Sequence, residues 1–107
     1  MSDTEKTVRH VVLVKFCEDS TAVQRAEFIA RSQWSLEADY VSGYVSGWGV
    51  QPNPYPSSAS DDWDWGMTLD IAESDVDTYK HDPIHRAVGP AVSKYAQGYA
   101  ILDFIID

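Results

Sequence analysis

The sequence predicts a single α+β domain with the element order β-α-β-β-α-β. Two observations lead to this prediction. The 107 residues fit one domain, residues 1–107. Segments rich in β-branched residues also alternate with segments whose apolar residues have helical spacing. A chain of this kind is expected to form one four-stranded sheet with helices packed against it.

The first strand is predicted over Thr7 to Phe16, where β-branched residues are frequent and apolar residues occupy both alternating positions. Thr21, followed three residues later by Gln24, is typical of a capping box. Apolar residues with helical spacing follow it. A helix is therefore predicted over Ser20 to Glu37.

Two further strands are predicted in the middle of the chain. One covers Tyr40 to Val50, where β-forming residues alternate with small ones, and the other covers Trp63 to Ile71, with clear apolar and polar alternation. Between them, Gln51 to Asp62 is rich in proline, serine and aspartate, which predicts a surface loop.

The last part of the chain is predicted to form two helices followed by a strand. A short helix over Ser74 to Lys80 is followed by Asp82-Pro83, an N-cap and first-turn proline that start a second helix. Gly98 is expected to end that helix, and Tyr99 to Ile106 is predicted as the last strand. The complete order is that of the split βαβ, or ferredoxin-like, fold.

The first and last strands are apolar on both faces, whereas two helices cover only one face of a sheet. A second copy of the same sheet is the simplest cover for the other face. The sequence therefore predicts a homodimer.

Composition excludes several partners and locations. With 17 acidic and 8 basic residues and a net charge of -9, the chain is expected to bind neither nucleic acid nor an anionic membrane. Its single cysteine, Cys17, cannot form an internal disulfide, and Met1 to Lys6 lacks the apolar core of a signal peptide. We expect a soluble cytoplasmic protein.

Three residues are candidates for acid-base chemistry. Tyr79 and His85 flank the Asp82-Pro83 turn, and His10 lies in the first strand. A neutral imidazole accepts a proton near pH 7, and a phenol donates to a developing oxyanion. The alternative is that these are ordinary hydrogen-bonded core residues.

No metal or cofactor is expected. His81 and His85 are four apart, the spacing of two helical metal ligands, but Pro83 between them leaves His81 outside the helix. The chain has neither a phosphate-binding glycine loop nor a dinucleotide fingerprint.

Three segments together resemble the stress-responsive A/B barrel (Dabb) family over nearly the whole chain: His10 to Phe16, Tyr79 with Asp82 to His85, and Ile101 to Phe104. The resemblance implies a dimeric α+β barrel. In a plant polyketide cyclase of that family, which closes its product by aldol condensation without a cofactor, the catalytic tyrosine and histidine fall on Tyr79 and His85. A pocket histidine of that enzyme falls on His10.

The resemblance also places Val12 and Val14 on the pocket wall, and we expect Phe28, Ile29 and Val88 to contribute to substrate binding. Asp64 stands where that cyclase has a histidine. We expect the Asp64 carboxylate to lie in the pocket, within reach of His10, where it would fix the histidine tautomer and favour the protonated form. The alternative is that Asp64 faces solvent.

These features lead us to expect a cofactor-free acid-base enzyme, similar to a polyketide cyclase, or a lyase or isomerase. Its substrate would be a small aromatic or polyketide-like carbonyl compound. Two alternatives stay open: a stress-related protein that binds a small ligand without turnover, and a cofactor-independent oxygenase. Turnover of bound carbonyl compounds would separate the enzyme from the binding protein.

Overall fold

The computed structural model describes residues 5–52, 54–55 and 63–106. Most of the loop predicted over 51–62 therefore lies outside the described residues. Within the described part of the chain, no helix is long and apolar enough to cross a membrane. The elements are β1 (Thr7–Phe16), α1 (Ala22–Ser32), β2 (Val41–Trp48), β3 (Trp65–Ala72), α2 (Val76–His81), α3 (Pro83–Tyr95) and β4 (Ala96–Ile106), with 3₁₀ segments at Gln33–Glu37 and Glu73–Asp75.

The four strands form one antiparallel sheet in the order β2-β3-β1-β4. Strand β1 therefore lies in the interior of the sheet, between β3 and β4. This topology confirms the predicted ferredoxin-like α+β fold.

The core lies on the sheet face that the helices cover, which we call the inner face. Leu69 and Val14 are fully buried there, and Phe28 of α1 packs edge to face on Phe16 and Trp65. Full burial of one such side chain stabilises the fold by about 1.5 to 3 kcal/mol. The core cluster consists of Val14, Phe16, Phe28, Trp65, Met67, Leu69, Ile71, Tyr79 and Tyr95.

Helix α1 starts as predicted and ends earlier. The capping box is present, because the Gln24 N–H donates to Oγ1 of Thr21 and the Thr21 N–H donates to Oε1 of Gln24. At the other end, the Ser32 hydroxyl donates to the Ile29 carbonyl at 2.6 Å. Such bonds compete with the regular helical pattern, and the chain continues as the 3₁₀ segment Gln33–Glu37.

The boundary before β4 differs from the prediction. Helix α3 ends at Tyr95 and β4 begins at Ala96, so Gly98 lies inside the strand and does not terminate the helix. Ala96 to Gly98 are held in the strand because they pair with Phe16 and Lys15 at the end of β1, where the register shifts by one residue. Glycine is common next to such irregularities in a sheet.

The opposite face of the sheet, the outer face, carries apolar side chains of β1 and β4 beside the ion pair of Arg9 and Asp70. Leu102 is 61% and Phe104 42% exposed in the single chain, and Val11 pairs with Leu102 across the two strands. Exposed apolar side chains grouped in this way are typical of an interface.

Candidate functional site

A cavity of about 410 Å³ lies between the helices and the inner face of the sheet. This volume is within the range of about 300 to 1,000 Å³ that is usual for small-molecule sites. Its lining is mainly aliphatic and aromatic, with a few polar groups. The lining residues are His10, Val12, Val14, Phe28, Ser32, Trp34, Trp65, Met67, Tyr79, Lys80, His85, Arg86, Val88, Gly89, Tyr99 and Ile101.

Tyr79 and His85 meet at the wall of this cavity. Helix α2 ends at His81, Asp82 is extended, and α3 starts at Pro83, so the chain turns between the two residues. Their ring centroids lie 4.1 Å apart with the planes inclined by 36°. Trp34 stacks on the Tyr79 ring at 5.9 Å. The predicted pair is therefore in direct contact.

The Tyr79 phenol is held in its protonated form. The residue is 4% exposed, and burial raises its pKa above the ordinary value of 10.0, with a further contribution from the negative charge of Asp103. A phenol with a raised pKa donates a hydrogen bond at neutral pH and does not act as a base.

The His85 imidazole is held in its neutral form. Burial lowers its pKa below the ordinary value of 6.5, and the nearby His10 lowers it further, against smaller opposing effects from the backbone of Lys80, the charge of Asp82 and the backbone of Tyr79. Its Nδ1 atom is buried and has no hydrogen-bond partner among the described residues. A neutral imidazole has one ring nitrogen that can accept a proton.

His10 is oriented by a residue that the sequence analysis did not select. β1 and β4 place His10 opposite Asp103, and Nδ1 of His10 lies 2.5 Å from Oδ1 of Asp103. Because an ionised carboxylate only accepts hydrogen bonds, Nδ1 donates and Nε2 is the nitrogen left for other contacts. The His10 ring meets Tyr79 edge to face at 5.2 Å. The signal for Asp103 was a single charged residue within the apolar last strand.

The expected pairing of Asp64 with His10 is wrong. Strand register pairs His10 with Leu69 and Val14 with Trp65, so Asp64 lies beside the last residues of β1. At about 3.3 Å per residue, five positions separate the two side chains by about 17 Å. The Asp64 carboxylate instead accepts a 2.8 Å hydrogen bond from the Phe16 N–H and does not line the cavity.

The other expected pocket residues divide into two groups. Val12, Val14, Phe28 and Val88 line the cavity. Ile29 does not, and it packs instead at the periphery of the core. Consecutive helical residues point about 100° apart, and Ile29 is turned away from the part of the cavity that Phe28 lines.

A hydrogen bond supports the turn between α2 and α3. The Tyr40 hydroxyl donates to Oδ2 of Asp82 at 2.7 Å. Burial, together with this bond, raises the pKa of Tyr40 to about 12. The bond ties the turn that brings Tyr79 and His85 together to the residue preceding β2.

The second helical histidine lies apart from the cavity. His81 is exposed, and its Nδ1 lies 2.9 Å from the Asp77 carbonyl oxygen. Within residues 5–52, 54–55 and 63–106, no three His, Cys, Asp or Glu side chains come together as a metal site would require.

Solved structures with similar folds cover more than nine tenths of this chain, and three of them illustrate the similarity. A hydroxynitrile lyase from Passiflora edulis has a TM-score of 0.81 at 15% identity, with 95% of this chain and 94% of that chain covered. A dimeric ferredoxin-like protein of unknown function from Thermobifida fusca has a TM-score of 0.76 at 18% identity, with 96% and 93% covered. A Dabb family protein from Mesorhizobium loti has a TM-score of 0.74 at 18% identity, with 95% and 98% covered.

No curated protein matches the sequence significantly. The family model of the stress responsive A/B barrel domain (Dabb) matches residues 8–106. That match includes β1 from its second residue onward, the other three strands and α1 to α3, as well as the described residues of the cavity wall. The chain therefore belongs to the stress responsive A/B barrel domain family.

Proposed function

We propose that this protein is a cofactor-free acid-base catalyst, a cyclase, lyase or isomerase, for a small aromatic or polyketide-like carbonyl compound. The observation that carries the proposal is the contact between the Tyr79 and His85 rings beside a cavity of ligand size. The two pKa values are shifted in opposite directions, so a donor and an acceptor of protons lie side by side.

Each group has a distinct role in this proposal. Tyr79 donates a hydrogen bond to the carbonyl oxygen and stabilises the charge that develops there. His85 removes a proton from the substrate and returns it at the end of the cycle. His10, oriented by Asp103, positions the substrate or acts as a second base.

The similarity to a hydroxynitrile lyase supports a proposal of this chemical class. Cleavage of a hydroxynitrile into a carbonyl compound and cyanide requires removal of the hydroxyl proton. Aldol closure of a polyketide likewise requires a base at carbon and a donor at oxygen. One arrangement of phenol and neutral imidazole serves both reactions.

Turnover of a defined panel tests the proposal. The panel contains mandelonitrile and aromatic β-dicarbonyl compounds, and the variants are Tyr79→Phe and His85→Gln. Each substitution should lower turnover of the accepted compound by about 10²-fold or more, the usual scale for general acid-base groups. His81→Gln, which changes the exposed histidine outside the cavity, should retain wild-type turnover.

Two results would contradict the proposal. Wild-type turnover in both Tyr79→Phe and His85→Gln would make the pair structural. Tight binding of panel compounds without any turnover would instead make the protein a non-catalytic binder of small ligands.

We further propose that the functional unit is a homodimer formed through the outer face of the sheet. The similar ferredoxin-like protein from Thermobifida fusca is dimeric. Val11, Leu102 and Phe104 are apolar side chains on the outer face. In a two-fold interface the same patch of each copy packs against the other, so an apolar patch is complementary to itself.

A further inference from the structure

The charge of the cavity wall is opposite to the charge of the protein. The chain has 17 acidic and only 8 basic residues. Two of those basic residues, Lys80 and Arg86, line the cavity together with His10 and His85. No aspartate or glutamate is among the described residues of the lining.

The charges of Lys80 and Arg86 are not neutralised by ion pairs in the described part of the chain. Lys80 lies in the last turn of α2 and Arg86 in the first turn of α3, both exposed. Arg9 and Arg31, in contrast, form ion pairs with Asp70 and Glu27.

The carboxylates that contact this part of the site have other partners. Asp103 binds Nδ1 of His10, and Asp82 accepts a hydrogen bond from the Tyr40 hydroxyl. Neither carboxylate lines the cavity. The wall therefore includes two cationic residues and, among its described residues, no carboxylate that would offset their charge.

We propose that the ligand of this cavity carries a carboxylate group, which Lys80 and Arg86 hold at the helix side while the apolar part contacts Val12 and Phe28. This inference rests on the proposed function and specifies its substrate class as a small aromatic or polyketide-like carbonyl acid. A guanidinium binds a carboxylate through two parallel hydrogen bonds, and an ammonium adds a second charge. Without such local cations, a protein with a net charge of -9 would repel an anionic ligand.

Anchoring the carboxylate would also orient the reacting group. Lys80 directly follows Tyr79, and Arg86 directly follows His85. A ligand fixed by both cations would be restrained close to the phenol and the imidazole. Restraint of this kind lowers the entropic part of the reaction barrier.

Binding of two matched probes tests the proposal without requiring turnover. Isothermal titration calorimetry would compare 1-naphthoate with 1-naphthamide, which share an aromatic ring system and differ in charge. The wild-type protein should bind the carboxylate more tightly than the amide. Arg86→Gln and Lys80→Gln should each weaken naphthoate binding by about fivefold, the upper range for an exposed ion pair, and leave naphthamide binding unchanged.

A third variant separates local from overall charge. Arg31→Gln removes the same unit of charge from an exposed residue of α1 that pairs with Glu27 outside the cavity. It should leave naphthoate binding unchanged. An equal loss in Arg31→Gln and Arg86→Gln would assign the effect to net charge and overturn the proposal.

Two other results would also overturn it: equal affinity for both probes in the wild type, or no binding of either probe at millimolar concentration. The proposed function fails separately, through unchanged turnover in Tyr79→Phe and His85→Gln. Suppose that the protein turns over neutral carbonyl compounds but binds both probes equally well. The proposed function would then stand, and the proposal that the ligand carries a carboxylate would be wrong.

Discussion

The Asp103 carboxylate lies 2.5 Å from Nδ1 of His10, although the two residues are 93 positions apart in the sequence. They are direct partners across β1 and β4, so sheet register alone brings them together. His10 is 6% exposed, and the Asp103 side chain is 47% exposed. A buried imidazole is therefore joined to the surface by one carboxylate, and its tautomer is set by that contact.

Without the Asp103 carboxylate, His10 should no longer be restricted to one tautomer. In Asp103→Ala, Nδ1 of His10 loses its acceptor, so nitrogen NMR should change from a single Nδ1–H tautomer to a mixture, and turnover should fall. Asp64→Ala is the matched control, because that carboxylate bonds the Phe16 N–H, far from His10. An unchanged His10 tautomer in Asp103→Ala would contradict the orienting role.

The lowered pKa of His85 predicts a loss of activity at acid pH. His85 must be neutral to accept a proton, so turnover should fall only as pH drops below the lowered pKa, which lies under the ordinary 6.5. A pH-rate profile measures this limb. An acid limb centred above 6.5 would show that another group controls the rate.

The same shift predicts a pH dependence of stability. Below pH 6.5 the unfolded chain binds a proton at His85 that the folded chain resists, so the folded state loses stability as pH falls through that window. Above pH 6.5 the residue makes no such difference. The free energy of unfolding, measured with denaturant, should therefore decrease less between neutral and acid pH for His85→Gln than for the wild type. Parallel curves for the two proteins would contradict the shift.

Asp64 is expected to matter for stability and not for catalysis. Its carboxylate accepts the Phe16 N–H bond at the end of β1. Asp64→Ala should lower the free energy of unfolding by about 1.5 kcal/mol, the lower value for bonds to charged groups, with turnover per folded molecule unchanged. Asp64→Asn retains an acceptor oxygen and should lose less. A drop in turnover without loss of stability would contradict this prediction and indicate that Asp64 belongs to the functional site.

Charge on the outer face should dissociate the homodimer. Leu102→Glu places two carboxylates in the apolar interface we propose, where burying an unpaired charge is unfavourable. Light scattering should give a mass near 12.0 kDa for this variant and twice that for the wild type. Val23→Glu makes a similar change on α1, where Val23 is 77% exposed, and should stay dimeric. A dimeric Leu102→Glu would place the interface elsewhere.

Local patterns in the sequence were sufficient for the element order and for the Tyr79 and His85 pair. Hydrophobic periodicity defined four strands, and the Thr21 capping box marked the start of α1. The two site residues lie six positions apart on either side of one turn, so their contact depends on short-range geometry. Such features follow from the backbone preferences of neighbouring residues.

The partner of His10 was decided only by the tertiary structure. From sequence, Asp64 and Asp103 were both acidic residues in or beside strands, and periodicity assigned a face to each but no position along the neighbouring strand. Register assigned that position, placing Asp103 opposite His10 and Asp64 beyond Val14. Register depends on bonds between segments that are distant in sequence, and a shift of a few residues moves a side chain by about 3.3 Å per step. The same long-range packing formed the cavity beside which Lys80 and Arg86 lie, because its wall combines residues of the helices with residues of β1, β3 and β4.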